Sequence, residues 1–149
     1  ERLKFLGLDG VLTATCCPNC VGFLEGPAYN RFTLDGGTEV FPSKLYDDEE
    51  EIECYMRPED YKSMAENPFV LAKNPVPLFY GAFCEDVNTV GGFANWVQDW
   101  EYTTCPVCGK PMKYLAQIQW DTIMEGTEGT LYIEVCTDCK VVSMQHQQT

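Results

Sequence analysis

The chain is 149 residues long, with 45% hydrophobic and 22% charged residues, a composition typical of an ordinary globular protein with one core. Ten Lys and Arg stand against 23 Asp and Glu, which gives a formal net charge of −13. Nucleic-acid binding requires cations to neutralise phosphates, and a spanning helix requires ~20 consecutive apolar residues, so the sequence argues against both a nucleic-acid partner and a membrane segment.

The N-terminal part predicts short β elements. Residues 4–15 contain apolar positions on both sides of a turn at Asp9-Gly10, which favours a strand, a turn and a strand. Residues 29–34 alternate weakly before the turn at Asp35-Gly36-Gly37, and Val40-Phe41 follows it. We therefore expect this part of the chain to be mostly β.

An acidic run and a short helix follow. The run carries too much like charge for a core, so we expect it in a solvated segment; it consists of Asp47, Asp48, Glu49, Glu50 and Glu51. Pro58 with two carboxylates behind it predicts a short helix near 58–66. Asn74-Pro75-Val76-Pro77 blocks regular structure. We place a boundary there, between an N-terminal lobe (1–75) and a C-terminal lobe (76–149).

A β-hairpin is predicted in the C-terminal lobe. Its first strand alternates so that five side chains would share one face, namely Met112, Tyr114, Ala116, Ile118 and Trp120. A Gly-containing turn at 125–129 precedes the second strand, in which Leu131, Ile133 and Val135 alternate with polar or aromatic residues. The polar residues 145–148 read as an exposed tail that includes His146, the only histidine.

Two Cys-x-x-Cys knuckles bracket this hairpin. They are Cys105-Pro-Val-Cys108 and Cys136-Thr-Asp-Cys139, and the hairpin would bring four thiolates around one tetrahedral Zn²⁺ at ~2.3 Å. Redox Cys-x-x-Cys motifs belong to strand-to-helix turns, whereas these lie at strand ends. Four Cys ligands leave no open position, so the ion would be structural. The predicted fold is a β-rich α+β protein: a two-lobed single domain with a C-terminal zinc ribbon.

The remaining cysteines leave two readings open. Cys17 and Cys20 form a third Cys-x-x-Cys pair, which could complete a second zinc site with one of the singletons Cys16, Cys54 or Cys84. Alternatively, Cys54 and Cys84 are small buried apolar residues. The sequence thus predicts one zinc ion and leaves a second one open.

The C-terminal half resembles the YwqG-like family of bacterial proteins. The resemblance covers roughly residues 78–149 and rests on Gly91-Gly92-Phe93-Ala94-Asn95-Trp96-Val97-Gln98, Tyr114-Leu115-Ala116-Gln117-Ile118, Gly129-Thr130-Leu131-Tyr132 and the two knuckles. It extends more loosely to programmed-cell-death-protein-2-like proteins. Family members are similar to proteins encoded beside bacterial polymorphic toxins, which implies an immunity factor that binds a toxin.

The functional expectation combines charge with this resemblance. The acidity favours a basic partner protein, and the resemblance makes that partner a bacterial toxin neutralised in the cytoplasm. Trp100 and Tyr102, beside Asp99 and Glu101, are the surface aromatics that could receive the partner together with the acidic run, whereas Trp96 and Trp120 are expected in the core. An adaptor that works through its ribbon is the alternative. No nucleophile, acid–base pair or phosphate loop argues for an enzyme.

Overall fold

The computed structural model describes residues 3–23, 26–42, 57–66, 88–123 and 125–148. Six strands form one antiparallel sheet in the order β2-β1-β6-β5-β4-β3. The strands are β1 (Ala28–Phe32), β2 (Thr38–Val40), β3 (Thr89–Val90), β4 (Lys113–Gln119), β5 (Thr130–Cys136) and β6 (Val141–Gln147). The helices are α1 (Pro18–Phe23), α2 (Pro58–Glu66), α3 (Trp120–Ile123) and a 3₁₀ turn at Lys4–Leu6. The β-rich prediction is confirmed.

The sheet crosses the predicted lobe boundary. β1 and β2 come from the N-terminal part, yet β1 pairs directly with β6 from the C-terminal part. An unpaired strand edge exposes backbone donors and acceptors, and this pairing satisfies them across the two parts of the chain. The two-lobed arrangement is therefore not confirmed.

The predicted polar tail is instead a central strand. β6 lies between β1 and β5, and its seven residues pair with β5 from Cys136 to Thr130. The His146 ring lies 4.7 Å from the ring of buried Trp120, and its Nε2 is 3.2 Å from the Glu128 carbonyl oxygen. The prediction that His146 lies in an exposed polar tail was wrong, because this residue is partly buried within β6.

One face of the sheet is apolar and carries the main core. Residues directly opposite each other in an antiparallel pair face the same side, so Leu131, Ile133 and Val135 share this face with the β6 positions that pair with them. The N-terminal segment covers it through Leu3, Leu6, Leu8, Leu12, Ala14 and Val21. The strands predicted over 4–15 are absent, because these leucines pack onto the sheet face; the segment has a single isolated bridge, Val11 to Asp35.

A β-bulge in β4 divides the side chains predicted to share a face. Tyr114 lies opposite Glu134, while Ala116 lies opposite Ile133, so the register shifts between them at Leu115. An extra residue in one strand reverses the direction of every side chain beyond it. Tyr114 thus faces the opposite side of the sheet from Ala116 and Ile118. The hairpin is confirmed, but the single apolar face over residues 112–120 is wrong.

The other face is polar and is covered by an irregular segment, residues 91–104, which we call the strap. Backbone N–H groups of the strap donate to side chains of this face: Asn95 to Gln117 Oε1 (2.8 Å) and Val97 to the Tyr132 hydroxyl (2.9 Å). The Tyr132 hydroxyl in turn donates to the Asn95 carbonyl oxygen (2.5 Å). The strap has no strand partner for these groups, so buried polar side chains replace one. It leads directly into the first knuckle.

The helix predicted near 58–66 is confirmed as α2. The Asp60 carboxylate in its first turn accepts the Arg57 backbone N–H at 2.8 Å, which satisfies a donor at the helix start. Among the described residues, no helix combines the length and apolar character needed to cross a membrane.

Candidate metal centre

The two knuckles meet at one end of the sheet. Cys105 and Cys108 lie between the strap and β4, and Cys136 and Cys139 lie at the turn from β5 to β6. All four Sγ atoms lie within 4.8 Å of one another, and the sulfurs of Cys108 and Cys136 are 3.8 Å apart. A tetrahedron with metal–sulfur bonds of ~2.3 Å has sulfur–sulfur edges of about 3.8 Å. A disulfide requires about 2.05 Å, and none of the four forms one. The predicted four-cysteine cluster is confirmed and can hold a metal ion.

The backbone of each knuckle turns its sulfurs inward. In the first knuckle, the Gly109 N–H donates to the Cys105 carbonyl oxygen and the Cys105 N–H donates to the Lys110 carbonyl oxygen, both at 2.9 Å. This turn requires a left-handed residue after the second cysteine, and Gly109 has φ +70°. Lys140 occupies the same position of the second knuckle with φ +53°. Lys140 was not predicted as a turn residue from the sequence, although its position directly after Cys139 matches that of Gly109 after Cys108.

The pKa values of three thiol groups in the centre are shifted by their surroundings. The Lys110 backbone N–H donates to the Cys108 sulfur and lowers the pKa of that thiol to about 7. The hydrogen bond to the Cys108 sulfur raises the pKa of Cys139 to about 12, and burial raises the pKa of Cys136. Without a cation, these shifts favour the thiolate at Cys108 and the neutral thiol at Cys136 and Cys139. A divalent ion would supply the charge that deprotonates the rest.

Residues of the sheet pack against the buried side of the centre. Cys105 and Cys136 are buried in a small apolar cluster with Met112 and Val141. The Tyr29 hydroxyl, from β1, donates to the Thr104 carbonyl oxygen at 3.1 Å. Cys108 is exposed, so one side of the centre faces solvent. An ion here would link two segments that are distant in the chain: the first knuckle, between the strap and β4, and the second knuckle, between β5 and β6.

A buried carboxyl group also fixes the end of the strap. Glu134 is 1% exposed, and its Oε2 accepts the Thr103 backbone N–H at 2.7 Å and the Thr103 hydroxyl. The Ser143 hydroxyl lies 2.7 Å from the Thr103 hydroxyl, while Glu134 Oε1 has no partner among the described residues. Burial raises the pKa of Glu134. Glu134 was not predicted to be buried, because a single Glu in an alternating strand is typical of a solvent-facing position.

The second zinc site is not assembled by the described residues. Cys17 precedes α1, with its sulfur 4.0 Å from the Tyr61 hydroxyl, and Cys20 lies within α1. Cys16 packs against the apolar core, and this burial raises the pKa of its thiol to about 11. Cys54 and Cys84 lie outside the described residues. Within the described ranges, three or more metal-ligating side chains come together only at the four-cysteine centre.

Of the residues expected to bind a partner, the structure describes the two aromatic ones. Trp100 is 76% exposed and Tyr102 is 36% exposed, with ring centroids 6.0 Å apart. The acidic run at 47–51 lies outside the described residues. Trp120 is buried in the core as predicted, whereas Trp96 is half-buried and lies against Tyr132 on the polar face, at 4.5 Å.

Comparison with known proteins finds a relative that matches part of the chain, and the name of that relative states no function. The chain is 42% identical over 64 residues to the uncharacterized protein YpfL of Salmonella typhimurium. The match covers 42% of this chain and 15% of YpfL, so the chain spans only a small part of that protein. No protein-family model and no solved structure matches the chain. The resemblance to YwqG-like proteins therefore stays a prediction.

Proposed function

We propose that the protein is a protein-binding module whose sheet is held together by one structural Zn²⁺. The observation that carries the proposal is the set of four cysteine sulfurs within 4.8 Å of one another. A tetrahedral set of four thiolates suits Zn²⁺ or iron, and it leaves no position for a catalytic water. An ion in this centre would therefore stabilise the fold and would not catalyse hydrolysis. We accordingly propose binding as the function.

The charge distribution supports a basic partner. The net charge is −13, and the segments 74–109 and 114–139 contain no Lys or Arg. Four thiolates around a divalent ion add a net charge of about −2. Such a surface attracts a cationic protein from a distance and disfavours an anionic one. An immunity-type inhibitor is the case in which that partner is a basic bacterial toxin, and an adaptor is the case in which it is not.

Affinity capture from the source organism tests this function when it is paired with a charge variant. In the variant, the five carboxylates at 47–51 become Asn or Gln, a change that we expect to leave the core intact. We expect the unmodified protein to retain a basic protein whose association rate falls as salt rises, because charge screening shortens to ~8 Å at physiological ionic strength. The charge variant should associate more slowly.

The same captured protein separates the inhibitor from the adaptor. A toxin should stop growth when expressed alone and lose that effect when this chain is co-expressed; an adaptor's partner should not. An acidic captured protein, or an association rate that is independent of salt and of the charge variant, would contradict the proposed function.

A further inference from the structure

Trp100 is an exposed aromatic residue whose neighbours are held by contacts with the sheet. Its side chain is 76% exposed, and it lies on the strap between Asp99 and Glu101. The Tyr102 ring stands nearly perpendicular to the indole, with an interplanar angle of 83°. We call Asp99, Trp100, Glu101 and Tyr102 the Trp100 face. An exposed indole lowers solubility. An exposed Trp whose surroundings are fixed is typical of a residue that anchors a binding partner.

The sheet holds the Trp100 face in position on both sides of the indole. Gln147 Nε2 donates to the Asp99 carbonyl oxygen at 3.1 Å, and Gln145 Nε2 donates to a Glu101 carboxylate oxygen at 3.3 Å. Below them, the Trp96 ring contacts Tyr102 edge-on, with centroids 5.4 Å apart. The strap is thus fixed on both sides of Trp100, and Tyr102 is supported by Trp96, so little conformational entropy of the strap is lost when a partner contacts this face.

The charge around the indole defines what can bind. Asp99 and Glu101 are exposed, and neither takes part in an ion pair with a basic side chain in the part of the chain that the structure describes. Every residue from 74 to 109 lacks a cationic side chain. A guanidinium group can lie flat on an indole and pair with a neighbouring carboxylate at the same time, whereas an ammonium group has no plane with which to stack.

We propose that the Trp100 face binds an arginine-bearing segment of a basic partner protein. The guanidinium stacks on Trp100 and pairs with Asp99 or Glu101, and Tyr102 forms the side of the site. This inference rests on the proposed function, which names a basic partner, and it adds the chemical group that the expected Trp100 surface recognises.

A labelled nona-arginine peptide tests the assignment, with nona-lysine for comparison, by fluorescence anisotropy at near-physiological salt. The variants are Trp100→Ala and the control Phe93→Ala, which removes a side chain of the same strap that is 75% exposed. We expect Trp100→Ala to weaken nona-arginine binding about two- to fivefold, the ratio that corresponds to an exposed cation–π contact. We expect Phe93→Ala to have no effect. The preference for arginine over lysine should shrink in Trp100→Ala.

The outcomes distinguish the surface from the general charge. If Trp100→Ala and Phe93→Ala bind nona-arginine equally well, the Trp100 face is not the site, while capture of a basic partner still supports the proposed function. Equal affinity for the two peptides also overturns the arginine assignment. Self-association of the chain that is lost in Trp100→Ala would assign the face to a second copy and overturn the inference. Circular dichroism of each variant verifies that the sheet is intact.

Discussion

The two knuckles have different residues at the same left-handed backbone position. This difference allows a matched test of how much that backbone conformation contributes to the stability of each knuckle. Gly109 and Lys140 each follow the second cysteine of a knuckle and each has a positive φ. The perturbations are Gly109→Ala in the first knuckle and, in the second, Lys140→Gly compared with Lys140→Ala. The last two variants both lose the charge of Lys140 and differ only in the freedom of the backbone.

The expected magnitude follows from the backbone alone. A Cβ added to Gly109 would meet no atom within 4 Å, so Gly109→Ala creates no clash. A left-handed residue other than Gly costs about 1–2 kcal/mol, and the loss of chain entropy in the unfolded state offsets about 0.4–1 kcal/mol of this. We therefore expect Gly109→Ala to destabilise the protein by about 1 kcal/mol. Lys140→Gly should be more stable than Lys140→Ala by about the same amount.

Two assays measure these differences. A difference of about 1 kcal/mol corresponds to a shift of about 2–4 °C in Tm for a domain of this size. Because the turns form with the metal, the same difference should appear as about fivefold in zinc affinity, measured by competition with a chromophoric chelator. If Gly109→Ala binds zinc like the unmodified protein, or if Lys140→Gly is no more stable than Lys140→Ala, the backbone argument is wrong.

Three further predictions concern the strap, the buried carboxyl and the knuckle sulfurs. Tyr132→Phe removes the hydroxyl that bonds the strap and should lower the free energy of unfolding by about 1–3 kcal/mol, with hydrogen exchange accelerated more at the Val97 amide than at the amides of β1. Burial raises the folded-state pKa of Glu134 above its ordinary 4.5, so its stabilising contribution is present at lower pH and is lost as pH rises through the raised value. Glu134→Gln should therefore gain stability relative to the unmodified protein as pH rises above about 4.5 in urea unfolding, and a difference independent of pH would contradict this. Cys136→Ser should destabilise the protein by several kcal/mol, whereas the same change at Cys16, outside the centre, should leave its zinc content unchanged.

The sequence predicted the elements whose signals are local. Knuckle spacing identified the four cysteines, alternation identified the β4–β5 hairpin, and Pro58 with its acidic neighbours identified α2. Each of these patterns lies within a few residues of the feature that it encodes. They describe the metal centre well because a Cys-x-x-Cys turn forms the same local geometry in any context.

The features that were missed depend on pairing between distant segments. β6 has polar residues at alternate positions, Ser143, Gln145 and Gln147, which resemble a solvent-exposed tail. They are instead directed at the strap, where Gln147 and Gln145 donate hydrogen bonds to it. The strap has no periodicity of its own, and nothing local indicates that β1 pairs with β6. A continuous sheet could therefore not be distinguished from two lobes by sequence alone.

Native mass spectrometry of the purified full chain tests the central claim most directly. The account predicts one zinc ion per chain in the unmodified protein and none in Cys136→Ser, with Cys16→Ser retaining the ion. A metal-free unmodified chain with a stable sheet would contradict the claim, as would a single ion that Cys136→Ser still holds.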